Sequence, residues 1–199
     1  MIVVGVAGKC CAGKDLATEI LLRRGWQEVN VDHSGHRALV ALQREVREAF
    51  GTGVLEDSTD PQSPVDRSRL GAVVFQDSRQ MKRLEAITHP WMIRQVQQEV
   101  ERLRATAPVV INAALLLYMN LDAFCDVVVL VRAPLFVRLG RAWQRDRHRM
   151  SPWRILRRLW AQRRLDAQAK ASNADIVVVD NGGTREDLEA RISSIPQLQ

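Results

Sequence analysis

The sequence predicts an α/β fold of three layers, a parallel sheet covered by helices on both faces. Short β-branched apolar runs alternate along the chain with longer stretches of helical spacing. Each run is continuously apolar, as in strands buried on both faces, and lacks the in–out alternation of a half-exposed strand. The first run, Met1 to Ala7, is followed at once by Gly8, which completes the pattern of a buried parallel strand. In such sheets ligands bind beyond the carboxyl ends of the strands. The turns after Ala7, Val31, Ile111 and Val131 are therefore where chemistry is expected.

Taken in order, Asp15 to Arg24 spaces Leu16, Ile20, Leu21 and Leu22 as an amphipathic helix that Gly25 stops. Trp26 to Asp32 reads as a second strand and Gly35 to Phe50 as a helix, followed by a polar loop from Gly51 to Pro64. Arg67 to Phe75, Arg79 to Thr88 and Trp91 to Thr106 read as three helices, with His89-Pro90 separating the second from the third because a residue before proline is pushed out of the α region. Val109 to Asn112 and Asp126 to Val131 are short strands. Pro134 to Lys170 is a long basic helical region interrupted near Ser151-Pro152, Ile176 to Val179 is the last strand, and Thr184 to Ile192 the last helix. The chain reads as one unit: a core of 1–56, 107–131 and 171–199, a helical insertion at 57–106 and a basic segment at 132–170, the last two too long for simple crossovers.

Composition sets outer limits. A chain of 199 residues, 46% hydrophobic and 26% charged, has the make-up of a globular domain, which excludes disordered, collagenous and disulfide-scaffold readings. No apolar run approaches the ~20 residues of a membrane-spanning helix, and the opening stretch lacks the basic start of a signal peptide. Three cysteines, two of them adjacent, make no disulfide framework and point to a reducing, cytoplasmic compartment. The net charge of +6 is local in origin. Arg132 to Lys170 holds twelve basic residues against Asp146 and Asp166, a balance of +10 that leaves the rest of the chain at −4. That segment is expected to meet an anion, and charge alone does not choose among nucleic acid, a membrane surface and a polyphosphate.

The turn after the first strand points to a phosphate. Gly8-Lys9-Cys10-Cys11-Ala12-Gly13-Lys14-Asp15 fits G-x-x-x-x-G-K, directly after a buried strand and opening a helix. Its backbone N–H groups and the helix N-terminus can wrap a phosphate, with Lys14 reaching the terminal phosphates. The bland alternative is a glycine-rich turn with a solvated lysine. Where the motif carries a Ser or Thr whose hydroxyl ligates Mg²⁺, this chain carries Asp15, a carboxylate that either ligates the metal or caps the helix. Lys9 is expected to supply the compensating charge, making Lys9 and Asp15 a coupled pair. Cys10 and Cys11, beside two lysines at a helix N-terminus, either fill the loop as small residues or form an oxidisable pair.

The rest of the chain resembles the dephospho-coenzyme A kinase family, in order and nearly end to end. Asn30-Val31-Asp32 with His36 resembles its Asp-x-Asp segment. Asp66-Arg67 with Leu70 and then Val74-Phe75 resembles its Asp-Arg-x-x-Leu…Val-Phe stretch, and Leu84 to Pro90 its Leu-x-x-Ile-x-His-Pro signature. Arg141, Arg145 and Gln162 resemble lid residues, and Ala174-Asp175 with Asn181 the closing Ala-Asp…Asn pattern. The chain departs from the family where Lys9 and Cys11 stand for glycine, Asp15 for Ser or Thr, and Asn30 for the first aspartate. Asn112, Ala114 and Tyr118 stand for Asp, Pro and Glu around the third strand.

The resemblance implies a phosphate-loop NTPase fold with a substrate-binding helical insertion and a helical lid. It implies ATP-dependent phosphorylation of the ribose 3′-hydroxyl of dephospho-coenzyme A, the last step of coenzyme A synthesis. Lys14, Asp32 and Arg141 would be catalytic; Gly8 to Asp15, Arg145 and Asn181 would bind nucleotide; Asp32, Arg67 and His89 would bind the acceptor; Asp15 would meet Mg²⁺. Asp32 orients or deprotonates the hydroxyl in this reading and is otherwise a helix N-cap; His89 is otherwise a helix-end residue bonded to backbone. Arg141 and Arg145, four apart, share a face and act on the transferred phosphoryl. The remaining arginines, Arg138 among them, read mostly as a solvated face. The apolar stripe of Trp153, Leu156 and Trp160 reads as packing on the body of the protein. The expected partners are ATP and dephospho-coenzyme A, with Mg²⁺ as cofactor; no nucleic-acid partner and no membrane contact through the basic lid are expected. Two alternatives stand: a related nucleoside or nucleotide kinase, and a nucleotide-binding regulatory protein with reduced or lost turnover.

Overall fold

The first strand, β1 (Val3–Gly8), is buried along its whole length, with Val3, Val4, Val6 and Ala7 fully excluded from solvent. Continuous burial requires cover on both faces and a neighbour on both edges, and β1 has both. In the computed structural model, which describes residues 1–146 and 165–198, it lies at the centre of a five-stranded, all-parallel sheet. The other strands are β2 (Gln27–Asn30), β3 (Val109–Asn112), β4 (Val127–Arg132) and β5 (Ile176–Asp180), in the order β2-β3-β1-β4-β5. The register sets Val4 opposite both Val110 and Val127, Asn30 opposite Asn112, and Arg132 opposite Asp180.

The described helices are α1 (Lys14–Leu22), α2 (Val31–Ala41), α3 (Gln43–Phe50), α4 (Arg67–Val74), α5 (Ser78–Arg104), α6 (Leu135–Asp146), α7 (Leu165–Ala171) and α8 (Arg185–Ser193). On one face of the sheet Val4, Val6, Val110, Val127 and Val129 pack with Ala17, Ile20 and Leu21 of α1 and Leu188 and Ile192 of α8. On the other face Val3, Ala7, Val109, Ile111, Val128 and Leu130 are buried equally. The helices that cover the sheet have local reasons to start where they do. Thr184 and Asp187 form a reciprocal capping box at α8, with Thr184 Oγ1 accepting from the Asp187 N–H at 3.2 Å and Asp187 from the Thr184 N–H at 2.8 Å.

Two compact units result: Met1–Asn30 with Glu99–Gln199, which holds the sheet, and Val31–Gln98. The second has its own small core of Val46, Val54, Leu70 and Val74, with Leu39, Phe50, Met81, Leu84 and Ile87 against it. Helices α2 and α3, expected with the core through residue 56, belong to this unit, and its far boundary falls inside α5.

Two sequence expectations are corrected. β2 stops at Asn30, and the chain turns straight into α2 at Val31, so Asp32 sits in the first turn of a helix and no helix begins at Gly35. His89-Pro90 does not divide two helices: α5 runs through Pro90 for 27 residues. Proline removes one bond of the helical ladder, at a cost of about 3 kcal/mol. The buried row of Met92, Val96, Val100 and Leu103, spaced as one helical face, gives the segment beyond it reason to stay helical. The expected break at Ser151-Pro152, the apolar stripe of Trp153, Leu156 and Trp160, and Gln162 lie outside the described residues.

Thr18 of α1 is 2% exposed, and its hydroxyl has no hydrogen-bond partner among the described residues. A buried, unpaired hydroxyl costs stability, and valine has nearly the same shape. Thr18→Val is expected to stabilise the protein by about 1 kcal/mol and to raise the thermal midpoint by roughly 2–4 °C. A midpoint that falls would show that the hydroxyl is paired.

Candidate active site

The carboxyl ends of β1, β2, β3 and β4 converge on the turn that follows β1. From Gly8 the chain passes through Lys9, Cys10, Cys11 and Ala12, with the Ala12 N–H returning to the Lys9 carbonyl at 2.9 Å, and enters α1 at Lys14. Two residues take left-handed backbone conformations. Gly13, at φ 104, does so without strain, and a side chain there would collide with the Asn181 amide, 1.9 Å from the Cβ position. Cys11, at φ 60, pays for having a Cβ, about 1–2 kcal/mol. The loop thus has the geometry of a glycine at position 11 and carries a thiol there, 3.7 Å from the Cys10 sulfur.

The loop is held from one side by polar groups that arrive from distant parts of the chain. Asn181, 2% exposed, donates its backbone N–H to the Arg132 carbonyl at 2.6 Å and its Nδ2 to the Ala12 carbonyl at 2.8 Å. Helix α6 lies along the loop: Ala142 is buried with Leu139 against Cys10 and Cys11. Arg138 Nε donates to the Cys10 carbonyl at 2.9 Å, Arg141 Nη1 comes to 3.5 Å from the Cys11 and Ala12 carbonyls, and Arg145 Nη2 to 3.8 Å from Cys10 Sγ. These arginines, at spacings of three and four, share the helical face that meets the loop.

Arg138 corrects the sequence reading that placed it on a solvated face. It is 6% exposed, and burial pulls its guanidinium below the ordinary arginine range. Its Nη2, like Asn181 Oδ1, is buried without a hydrogen-bond partner among the described residues. Two unsatisfied buried polar atoms beside one loop call for a partner, such as a bound anion, a base or an ordered water. A cavity of about 370 Å³ opens beside Arg138, lined by Lys9, Val131, Arg132, Asp166 and Lys170 among others.

On the other side of the loop Lys14, with a side chain only 12% exposed, donates Nζ to Asn112 Oδ1 at 2.6 Å and to Asp15 Oδ1 at 2.8 Å. The Asp15 side chain is 81% exposed. Its partial desolvation raises the carboxyl's pKa, but the hydrogen bond and charge of Lys14, with help from Asn112 and Arg145, outweigh this and hold it below the usual carboxylate range. The expected pairing of Lys9 with Asp15 is not what forms. Lys9 Nζ donates instead to Asp166 Oδ2 at the start of α7, and Arg132 stands 3.6 Å from the same carboxylate. Lys9 and Asp15 each pair with another partner, Asp166 and Lys14.

The acceptor-side residues lie in the Val31–Gln98 unit. Asp32 is exposed in the first turn of α2, two residues beyond β2. Arg67 is the first residue of α4 and exposed, while its neighbour Asp66 caps that helix, accepting from the N–H groups of Ser68 and Arg69 at 2.7 and 3.1 Å. His89 is half-buried within α5, and burial lowers its imidazole pKa despite the opposing charge of Glu85. The described residues bring Lys14, Arg141, Arg145 and Asn181 together around the loop. No three carboxylate, histidine or cysteine side chains among the described residues are grouped to hold a metal ion by themselves, so His33 and His36 make no such site. Sequence reasoning passed over Glu28, noted Asn112 only as a departure from the family pattern, and placed Arg138 among the solvated arginines.

A family model described as dephospho-CoA kinase matches residues 2–186. The chain belongs to the dephospho-CoA kinase family. It is 34% identical over 204 residues to the dephospho-CoA kinase of Geobacter sulfurreducens, covering 98% of this chain and 97% of that one. It is 31% identical over 133 residues to that of Borreliella burgdorferi, where the match spans 66% of this chain and 62% of the relative's length. Among solved structures, a Thermus thermophilus protein superposes with a TM-score of 0.79 at 28% identity, covering 98% of this chain and 95% of its own. The dephospho-CoA kinase of Campylobacter jejuni superposes at 0.70 and 22% identity with the same coverage. A shikimate kinase of Acinetobacter baumannii, at 0.51 and 18%, shares the fold, which is that of phosphate-loop kinases.

The rearranged pairing can be measured. In double-mutant cycles on thermal stability, Lys9→Ala and Asp166→Asn are expected to couple by about 0.5–1 kcal/mol, the range of a partly exposed ion pair. Lys9→Ala and Asp15→Ser are expected to add. Coupling between Lys9 and Asp15 with none between Lys9 and Asp166 would contradict the arrangement.

Proposed function

We propose that this chain transfers the γ-phosphoryl group of ATP to the ribose 3′-hydroxyl of dephospho-coenzyme A. The observation that carries the reading is the Gly8–Asp15 loop, with Lys14 opening α1 and two unsatisfied buried polar atoms beside it, in a chain that matches the family model over residues 2–186. Phosphoryl transfer asks little covalent chemistry of a protein. It asks for alignment of the reacting oxygens and for positive charge around the moving group.

In this reading the N–H groups of the loop and the N-terminus of α1 receive the β- and γ-phosphates, and Lys14 Nζ turns to the same oxygens. Arg141 and Arg145 place positive charge where negative charge builds on the transferred group, which acts on the barrier more than on nucleotide affinity. Arg138 Nη2 and Asn181 Oδ1 find their missing partners on the nucleotide. Asp32 orients the 3′-hydroxyl and receives its proton, and Arg67 and His89 contact the acceptor, Arg67 by the bidentate geometry that suits a pyrophosphate.

Mg²⁺ fits the donors present as an ion carried in by the nucleotide. Asp15 offers one exposed carboxylate beside Lys14, and Mg²⁺ in kinases is held by one or two carboxylates with phosphates and water completing the shell. When bound, the ion neutralises part of the phosphate charge. The partners in this reading are ATP and dephospho-coenzyme A, in the cytoplasm; no described helix is long and apolar enough to cross a membrane.

Incubation of the purified protein with dephospho-coenzyme A, ATP and Mg²⁺ is expected to yield coenzyme A. Lys14→Ala is expected to lower kcat/KM by about a hundredfold or more, on the order of 3 kcal/mol of transition-state stabilisation, with the thermal midpoint little changed. ATP binding without product would favour the regulatory alternative, and turnover of a nucleoside in place of dephospho-coenzyme A would favour the related-kinase alternative.

A further inference from the structure

Glu28 lies in β2, where the sequence reads only as strand, and its carboxylate is drawn into the site. It accepts from Asn112 Nδ2 at 2.8 Å and from Asn30 Nδ2 at 3.1 Å. Asn112 is 4% exposed and passes the contact on, its Oδ1 accepting from Lys14 Nζ at 2.6 Å. The carboxyl edge of β2 and β3 thus carries two amides where the resemblance has aspartates, with the Glu28 carboxylate between them.

We propose that Glu28 is a positioning residue for the reaction, fixing Lys14 through the Asn112 amide. The argument is one of donors and acceptors. An ammonium only donates and an ionised carboxylate only accepts, whereas an amide does either depending on which way it is turned. Between Lys14 and Glu28, Asn112 has one satisfactory orientation, with its carbonyl oxygen toward Lys14 and its NH₂ toward Glu28. Without the carboxylate the only other acceptor for the Asn112 NH₂ among the described residues is Asp15 Oδ1, at the long distance of 3.5 Å, and the flipped amide sets an NH₂ against the ammonium. An aspartate at position 112 would need no such support, because both its oxygens accept. Glu28 and an aspartate at 112 are therefore alternatives: present together they would set two carboxylates at hydrogen-bond distance, where they repel. The inference rests on the phosphate-loop reading of Lys14.

The test is a set of variants titrated with ATP and Mg²⁺, with direct measurement of Kd alongside kcat and KM. Glu28→Val suits a strand and is expected to weaken ATP binding about tenfold; Glu28→Gln, which keeps the shape, is expected to weaken it less. Asn112→Asp alone is also expected to weaken binding, while Glu28→Val combined with Asn112→Asp returns to within about threefold of the parent. A purely structural role for Glu28 would not produce this reversal of sign. Unchanged binding in Glu28→Val and Glu28→Gln, or a double variant no better than Glu28→Val, would overturn the proposal. Lys14→Ala is the control: if it binds ATP like the parent, the phosphate-loop reading fails with it, and if it alone loses binding, only the role of Glu28 is wrong.

Discussion

The site depends on one short stretch of backbone, the left-handed turn at Gly13 with the Ala12 carbonyl pinned by Asn181. A parallel strand buried on both faces has to release its chain at the carboxyl edge, and here it does so through a loop too tight for ordinary backbone at two positions. The conformation costs strain at Cys11. That strain persists because Asn181, Arg138 and the apolar contact of Ala142 with the two cysteines tie the loop in place. What the cost secures is a row of N–H groups at the start of α1, with Lys14 beside them.

The charges around that row are arranged in two separate groups. On the α6 side, Arg138, Arg141 and Arg145 face loop carbonyls and sulfur, and Asp166 gathers Lys9 and Arg132. The hydrogen bond from Lys9 holds the Asp166 carboxyl below its usual range, so it stays ionised while the site is basic. On the β3 side, Lys14 is balanced by Asp15 directly and by Glu28 through Asn112. The basic excess of the Arg132–Lys170 segment is thus only partly a surface property, since Arg138 is among the buried residues of the protein.

Much of this was legible in the sequence, for physical reasons that differ by element. Strands buried on both faces announce themselves by unbroken apolar runs, and β3 was read to the residue. The phosphate loop was legible because glycine spacing, strand and helix start all had to coincide. The parts that were missed share a cause: they depend on partners far away in the chain. Arg138 is one arginine among eleven between Arg132 and Lys170, and nothing local distinguishes the one that meets the Cys10 carbonyl 128 residues away. Glu28 reads as a polar residue of the second strand until β3 brings Asn112 beside it across 84 residues. Pro90 is a strong local signal that was overruled by the packing of the helix around it, and Lys9 was assigned the nearest carboxylate in sequence when a nearer one in space was available.

The most direct test of the account is amide hydrogen exchange with and without a non-hydrolysable ATP analogue and Mg²⁺. Slowed exchange on nucleotide binding is expected at the loop and the first turn of α1, Cys10 to Leu16, because those N–H groups become donors to phosphate. Nucleotide binding that leaves these amides exchanging as before, with protection elsewhere, would contradict the claim that the turn after β1 is the phosphate site.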